Sequence, residues 1–234
     1  AQDPAVKMVI LCSPHSPVGR VWTRKELTTF GAICLANDVL VVADEIHGDL
    51  ILKGHRFVPF AGVRAEFAEH SLTCTSPSKT FNLAGLMLAN IIISNPKHRA
   101  RFKKMVEATG LSGINAFGLV ACESAYRNGA EWLSQLLKVI NANFAYLYDF
   151  VQEHLPGMRA ITAEGTYLAW LDCRGLPIQP QDLDQFMLEQ AGLFLNAGPS
   201  FGPGGEGFVR INLACPRSTL QKAMGRIKKA VAEI

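Results

Sequence analysis

Two short apolar runs, Lys7–Ser13 ("KMVILCS") and Val39–Ile46 ("VLVVADEI"), constrain the possible folds most strongly. Runs of this length that are apolar on both faces predict buried strands of a parallel sheet. Between them, Thr23 and Glu26 have the spacing of a capping box, and apolar residues then recur at helical spacing. Because strand and helix alternate in this way, the first part of the chain is predicted to be α/β.

The rest of the chain divides at a long amphipathic segment. Further strands are predicted at 71–76 and 86–94, and helices at 96–109 and 115–129. One helix is predicted over 130–154, ended by "LPG". Strand and helix patterns of a different mixture follow at 166–173, 179–192, 208–215 and 218–234. We therefore expect residues 1–140 to belong to a large domain and residues 141–234 to form a small α+β domain.

Composition excludes several classes of protein. The chain has 234 residues, of which 49% are hydrophobic and 18% charged, so it can build a sizeable core and disorder is not expected. The net charge of +3 is too small to indicate nucleic acid as a partner. The longest apolar run, Leu86–Ile93, is too short to span a bilayer, and no signal peptide is visible. No nucleic-acid or membrane partner is therefore predicted.

The cysteines and the start of the chain indicate its setting. The six cysteines are scattered, with no C-x-x-C pair and no zinc spacing, which predicts a reducing, cytoplasmic compartment and no metal site. The chain does not begin with Met and runs almost directly into its first strand. We therefore expect it to be a fragment of a longer protein.

Lys79 is the first candidate for chemistry. It lies in "TSPSKTFNLAG", residues 75–85, among small, hydroxylated and apolar residues without another charge. A surface lysine at a turn is the ordinary interpretation. Alternatively, a desolvated amine becomes nucleophilic enough to form a Schiff base, and the hydroxyls of Ser76 and Ser78 could bind a phosphate. A phosphate-bearing aldehyde that joins a lysine is pyridoxal phosphate.

That cofactor would need further groups, and the sequence offers them. Asp44 follows a buried strand, where α/β sheets bind ligands, and could keep a ring nitrogen protonated. The first loop, "SPHSPVG", offers Ser16 and His15 toward a substrate. Arg210 lies in the apolar "GFVRINLAC" and could bind a substrate carboxylate. Each also has an ordinary interpretation, as a turn cap, a Pro-rich turn or a surface arginine.

In this order, the motifs "LCSPHSPVGRVWT", "DEIHGDL", "SPSKTFNLAGL", "EGTYLAW" and "FVRINLACPR" resemble the fold-type I, class I/II aminotransferase superfamily. The chain is most similar to its cystathionine β-lyase and cysteine-S-conjugate β-lyase branch. The resemblance covers the whole chain, and "DEIH" followed by "SKTFNLAG" is its most specific part. It implies a PLP-dependent transferase fold, incomplete in its large domain, which is expected to have a mainly parallel sheet.

The resemblance also implies roles for particular residues. Lys79 would be the Schiff-base lysine, Asp44 the partner of the pyridinium nitrogen, and Arg210 the group that binds the substrate carboxylate. His47 would lie near the phenolic oxygen of the cofactor. Ser76 and Ser78 would help to hold its phosphate, and Ser16 would take a cofactor-binding position in the first loop.

Departures from the family pattern bear on these roles. Ser13 and Ser16 stand where the family usually has two asparagines, and Met87 stands where many aminotransferases have a phosphate-binding arginine. The family's N-terminal portion, which normally supplies a phosphate loop and a stacking aromatic residue, has no counterpart here. We therefore expect this chain alone to be inactive and the full-length form to be a homodimer.

Three functions follow from the resemblance. The first is β-elimination from an L-amino acid with sulfur on Cβ, which yields a thiol, pyruvate and ammonia. The second is transamination, which uses the same residues. The third is ligand sensing by an aminotransferase-like domain of a transcription regulator. Pyruvate release without an added keto acid separates the first from the second.

Overall fold

The computed structural model describes residues 1–234, which divide into two compact units. The first unit contains Ala1–His15 and Arg20–Ser134, and the second contains Ser16–Gly19 and Gln135–Ile234. One helix, Ala130–His154, belongs partly to each unit. The assignment of residues 1–140 and 141–234 to two functional domains stays a prediction.

The first unit contains a four-stranded sheet in the order β1-β2-β3-β4. Its strands are β1 (Met8–Cys12), β2 (Leu40–Asp44), β3 (Ser71–Thr75) and β4 (Asn90–Ile92). β2 pairs in parallel with both β1 and β3, whereas β4 runs antiparallel to β3. The prediction of a mainly parallel sheet is therefore confirmed.

Five helices lie wholly in the first unit. They are α1 (Arg24–Ala36), α2 (Ala65–Glu69), α3 (Pro77–Thr80), α4 (Pro96–Ala108) and α5 (Ala116–Asn128). The predicted capping box is present: the Thr23 hydroxyl accepts the Glu26 N–H, and the Glu26 carboxylate accepts the Thr23 N–H. This arrangement satisfies two backbone donors that α1 cannot pair internally.

The core of the first unit forms where α1, α2 and the sheet meet. Leu27, Val41, Phe60 and Phe67 are almost fully buried there, and the rings of Phe60 and Phe67 stack with centroids 5.3 Å apart. Gly31 leaves room for the Phe67 ring against α1, because a Cβ at position 31 would lie 2.5 Å from that ring. The core therefore supports the middle strand, β2, from one side.

Two sequence predictions about the strands were wrong in detail. β1 is not buried on both faces, because Met8 and Ile10 are 55% and 70% exposed. β1 has a partner on one side only, and the face that carries these two side chains is not covered. The strand predicted over 86–94 shrinks to Asn90–Ile92, because Met87 adopts the left-handed conformation with φ of 52° after a short 3-10 turn.

The second unit is an antiparallel sheet packed with helices. Its strands, in the order β5-β6-β8-β7, are β5 (Arg159–Ala160), β6 (Leu168–Asp172), β7 (Asn196–Ala197) and β8 (Phe208–Asn212). Its helices are the greater part of α6 (Ala130–His154), α7 (Leu183–Glu189) and α8 (Arg217–Val231). The expected α+β character of this part is therefore present.

Three further features concern membrane spans, metal ligands and cysteines. None of the helices combines the length and the apolar character that a membrane-spanning segment requires. No group of three or more His, Cys, Asp or Glu side chains could hold a metal ion. All six cysteines are free thiols.

Candidate active site

Asp44 ends the middle strand of the parallel sheet. It lies beside Cys12 of β1 and Cys74 of β3 in the strand register. Its carboxylate is half-buried and accepts one hydrogen bond, from the Ile46 N–H to Oδ1 at 3.2 Å. No cationic side chain pairs with it, so this charge at the carboxyl end of the sheet is available to a ligand.

The turn after β2 carries His47. The Gly48 N–H donates to the Glu45 carbonyl at 2.8 Å, and the Leu50 N–H donates to the His47 carbonyl at 2.9 Å. His47 is only 5% exposed. These backbone bonds close the turn directly after Asp44 and place His47 within it.

Glu45 is a functional candidate that the sequence reasoning missed. Its side chain is 6% exposed, and its Oε1 accepts the Phe60 N–H at 2.7 Å. Burial raises the pKa of Glu45 to about 7, the Asp44 charge adds to this, and the hydrogen bond from Phe60 opposes it. The only signal in the sequence was an ionisable residue within the apolar run 39–46.

Ser76 caps the short helix α3 that carries the lysine. Its Oγ accepts the Ser78 N–H at 3.0 Å and donates to the Leu88 carbonyl at 2.7 Å. The hydroxyl oxygens of Ser76 and Ser78 lie 2.8 Å apart. Because Ser76 donates its only proton to Leu88, the proton in the contact between the two hydroxyls is that of Ser78.

Lys79 lies in α3 and is half-buried. No carboxylate or hydrogen-bond acceptor of the chain pairs with its ammonium group. Directly after it, Thr80 is fully buried and its hydroxyl donates to Asp49 Oδ2 at 2.9 Å. The structure therefore presents an uncompensated amine on a helix that is itself fastened by its neighbours.

A pocket of ≈ 460 Å³ opens beside these elements. Its lining includes Glu45, Asp49, Ser76, Asn90 and Tyr126. Burial raises the pKa of Tyr126 to about 12, and the nearby Asp49 charge contributes. The pocket is therefore bordered by polar groups from the turn after β2 and from the start of α3.

Arg210 of β8 is a charged group of the second unit that lacks a counter-ion. Its Nη1 donates to Ser16 Oγ at 2.9 Å and its Nη2 donates to Asn196 Oδ1 at 3.0 Å. The guanidinium carbon lies 4.6 Å from the centre of the Phe201 ring. The Nε atom is buried without an acceptor, and burial lowers the pKa of Arg210.

The residues predicted for the site therefore fall into two sets. Asp44, His47, Ser76, Ser78 and Lys79 belong to the first unit, on segments that follow neighbouring strands. In the second unit, Ser16 contacts Arg210.

Sequence reasoning missed Asn196 and Phe201 as neighbours of Arg210. An aromatic residue among the glycines of 198–205 was the one available signal for Phe201. No local signal marked Asn196.

The other residues of the first loop make local contacts. The buried Ser13 Oγ accepts the Trp22 N–H at 3.4 Å. The His15 N–H donates to the Arg20 carbonyl at 2.7 Å, and burial lowers the pKa of the His15 imidazole. Neither side chain has an interaction that assigns it to substrate.

Comparison with known proteins places this geometry in a family. The family model for aminotransferase class I and II matches residues 1–227. The chain is 43% identical to cystathionine beta-lyase PatB of Bacillus subtilis (strain 168), and this match covers 98% of the chain and 59% of the relative. It is 35% identical to protein MalY of Escherichia coli (strain K12), over 99% of the chain and 59% of that protein.

Solved structures of similar sequence have the same fold as this chain. A PLP-bound putative aminotransferase from Clostridium difficile 630 superposes with a TM-score of 0.96 at 40% identity, over 98% of this chain and 59% of that one. Cystalysin from Treponema denticola, which contains a pyridoxal 5'-phosphate cofactor, superposes with a TM-score of 0.94 at 42% identity. This match covers 97% of this chain and 58% of cystalysin. This chain thus spans less than two thirds of the length of these relatives.

The match extends over nearly all of the chain and includes every motif on which the sequence-based resemblance rested. The superposition on the Clostridium difficile structure, with a TM-score of 0.96, agrees with the same fold. The predicted resemblance is confirmed: this chain belongs to the class I and II aminotransferase family and has that family's fold.

Proposed function

We propose that the protein containing this chain is a pyridoxal-phosphate-dependent carbon–sulfur β-lyase. It would act on cystathionine or on cysteine S-conjugates and release a thiol, pyruvate and ammonia. One observation carries the proposal: Asp44, Lys79 and Arg210 all lack an ion-pair partner in a chain that is 43% identical to a cystathionine β-lyase. Half-buried charges without partners are costly unless a ligand neutralises them.

The residues of the first unit fit the cofactor. When bound, pyridoxal phosphate would supply an aldehyde that joins an amine and a ring that withdraws electrons. Lys79 would hold the aldehyde, and Asp44 would keep the ring nitrogen protonated. His47 would lie near the phenolic oxygen, and Ser76 and Ser78 would contribute to phosphate binding. Ser16 would keep its predicted cofactor-binding position in the first loop, and its hydroxyl also accepts an Nη1 proton of Arg210.

The chain's own groups would perform binding and proton transfer. Arg210 would bind the substrate carboxylate, because its Nε is unpaired and its other contacts are to neutral acceptors. Lys79 Nζ would accept the Cα proton as general base. The Cβ–S bond of the substrate would then break, the thiolate would leave with the electron pair of that bond, and the released aminoacrylate would hydrolyse to pyruvate and ammonia.

Pyruvate formation by the intact protein tests the proposal. With cystathionine and no keto acid, the protein is expected to release pyruvate and a thiol in equal amounts. Lys79→Ala should abolish this reaction and the absorbance of lysine-bound cofactor, whereas Lys104→Ala, an exposed control on α4, should change neither. Full turnover by Lys79→Ala would contradict the assignment.

A class I/II aminotransferase is the second candidate. The family model and the name of the Clostridium difficile structure favour it. It would use Lys79, Asp44 and Arg210 in the same roles, but Lys79 would deliver the abstracted proton again and no thiol would leave. Product formation that requires an added keto acid would support this candidate.

The assembly and location of the intact protein are further parts of the proposal. We expect a homodimer, as the family resemblance implies, and exposed apolar side chains such as Phe117 and Val120 of α5 support association. We expect a cytoplasmic location, since all six thiols are free. Light scattering on the purified intact protein measures its oligomeric state, and cell fractionation measures its location.

A further inference from the structure

The helix that carries Lys79 is fastened at both ends by side-chain hydrogen bonds. At its start, the Ser76 hydroxyl donates to the Leu88 carbonyl at 2.7 Å. At its end, the Thr80 hydroxyl donates to Asp49 Oδ2 at 2.9 Å. Lys79 lies between these two attachments, directly next to Thr80.

The bond between Thr80 and Asp49 joins two parts of the candidate site. Asp49 belongs to the turn after β2, the same turn that carries His47 and follows Asp44. Thr80 belongs to α3, which follows β3. The bond therefore ties the segment predicted to contact the cofactor ring to the segment that carries the amine.

The burial of Thr80 favours this bond. Its side chain is 0% exposed, so water cannot accept the hydroxyl proton, and a buried hydroxyl without an acceptor is unfavourable. The bond to a carboxylate is of the charge-assisted type, which is stronger than a bond between neutral groups. Asp49 in turn gains a donor on the polar border of the ≈ 460 Å³ pocket.

α3 depends on such contacts for its orientation. It has four residues, Pro77–Thr80, and a helix of one turn is not stable by itself. Packing and the two side-chain hydrogen bonds therefore determine the position of the Lys79 backbone in α3. A small displacement of a reacting group is costly, because catalysis requires the reacting atoms to be close and aligned.

We propose that Asp49 is a positioning residue for Lys79: its carboxylate holds Thr80 and thereby fixes the end of α3 from which the lysine side chain extends. This inference rests on the proposed function, because it assumes that Lys79 is the reacting amine. Asp49 itself would touch neither cofactor nor substrate in this role.

Paired substitutions in the intact protein test the proposal. Asp49→Ala and Thr80→Val each remove one partner, and the Val change preserves the volume of the buried side chain. Asp49→Asn retains an acceptor oxygen, and Thr80→Ser retains the hydroxyl. Thr28→Val is the matched control, since the Thr28 hydroxyl bonds only the Arg24 carbonyl on α1.

The kinetic pattern should identify positioning. We expect Asp49→Ala and Thr80→Val each to lower kcat by about tenfold or more while KM stays within about threefold, because ground-state binding does not use the lysine. The double variant should be no worse than either single variant, because both remove the same bond. Asp49→Asn and Thr80→Ser should stay within about threefold of the wild type.

Two further measurements separate positioning from a general loss of structure. The pH midpoint of the absorbance of lysine-bound cofactor should move in Asp49→Ala and Thr80→Val but not in Thr28→Val. In protein freed of cofactor, the rate at which trinitrobenzenesulfonate labels Lys79, followed by peptide mapping, should change by about threefold or more in the same two variants. Labelling of Lys104 in the same samples should stay constant.

The outcomes that overturn the proposal are distinct. They are an unchanged kcat in Asp49→Ala and Thr80→Val, multiplicative losses in the double variant, or a loss in Asp49→Asn as large as in Asp49→Ala. A wild-type protein that binds no cofactor would instead defeat the proposed function. In that case the labelling of Lys79 still tests whether Asp49 and Thr80 control the position of its amine.

Discussion

Replacing Glu45 by glutamine should make the protein more stable at neutral and alkaline pH. The Glu45 carboxyl is 6% exposed, and burial raises its pKa from 4.5 to about 7. The folded state therefore keeps this proton at pH values where the unfolded chain has released it. Because the folded state binds more protons between pH 4.5 and about 7, the free energy of unfolding falls as the pH rises through that range.

The size of the effect follows from the difference in pKa. One pKa unit corresponds to about 1.4 kcal/mol, so the rise from 4.5 to about 7 corresponds to roughly 3 kcal/mol. The contribution of Glu45 to the free energy of unfolding is fully present below pH 4.5 and is lost as the pH rises through about 7. A glutamine at this position carries no charge, and its amide oxygen can still accept the Phe60 N–H that Glu45 Oε1 accepts at 2.7 Å.

Denaturant unfolding of the intact protein at pH 5 and pH 8 measures this prediction. The stability of Glu45→Gln relative to the wild type should grow by about 2 kcal/mol or more between the two pH values. Glu69→Gln, at an exposed position on α2, is the control and should show no such growth. A Glu45→Gln variant that is less stable than the wild type at pH 8, or a difference that is independent of pH, would refute the reasoning.

Three other substitutions test separate parts of the structure. Arg210→Lys should raise KM by about tenfold with a smaller change in kcat, because an ammonium cannot replace the forked guanidinium. Steady-state kinetics measures both constants, and a change mainly in kcat would contradict a role of Arg210 in substrate binding. Gly31→Ala should destabilise the protein by about 1–3 kcal/mol in denaturant unfolding, because the added Cβ would lie 2.5 Å from the Phe67 ring, and unchanged stability would mean that the ring moves freely. Thr23→Ala should lower the free energy of unfolding by about 1 kcal/mol in the same assay, because α1 loses its N-cap. An unchanged free energy of unfolding would show that α1 does not depend on this cap.

The candidate site could be predicted from the sequence to the extent that its signals were local. Asp44 is a charge at the end of an apolar strand, Lys79 is a lone charge among uncharged residues, and Arg210 is a charge inside an apolar strand. The unfavourable free energy of an unpaired charge in such a setting makes the residue type itself informative.

Contacts between distant segments could not be predicted in the same way. Ser16 and Arg210 are 194 residues apart, yet one accepts a hydrogen bond from the other. Asp49 and Thr80 are 31 residues apart, and nothing in their local sequence pairs them. Such pairs depend on how strands and turns are brought together, which no local pattern encodes.

The sequence by itself determined the alternation of strands and helices, the capping box at Thr23 and the family, because these follow from hydrophobic period, local hydrogen bonding and motif order. The tertiary structure alone decided that Ile10 is 70% exposed on an edge strand and that Glu45 is buried with a pKa of about 7. The physical reason is that burial, and with it the pKa of a side chain, depends on which segments pack around that side chain, and those segments come from distant parts of the chain.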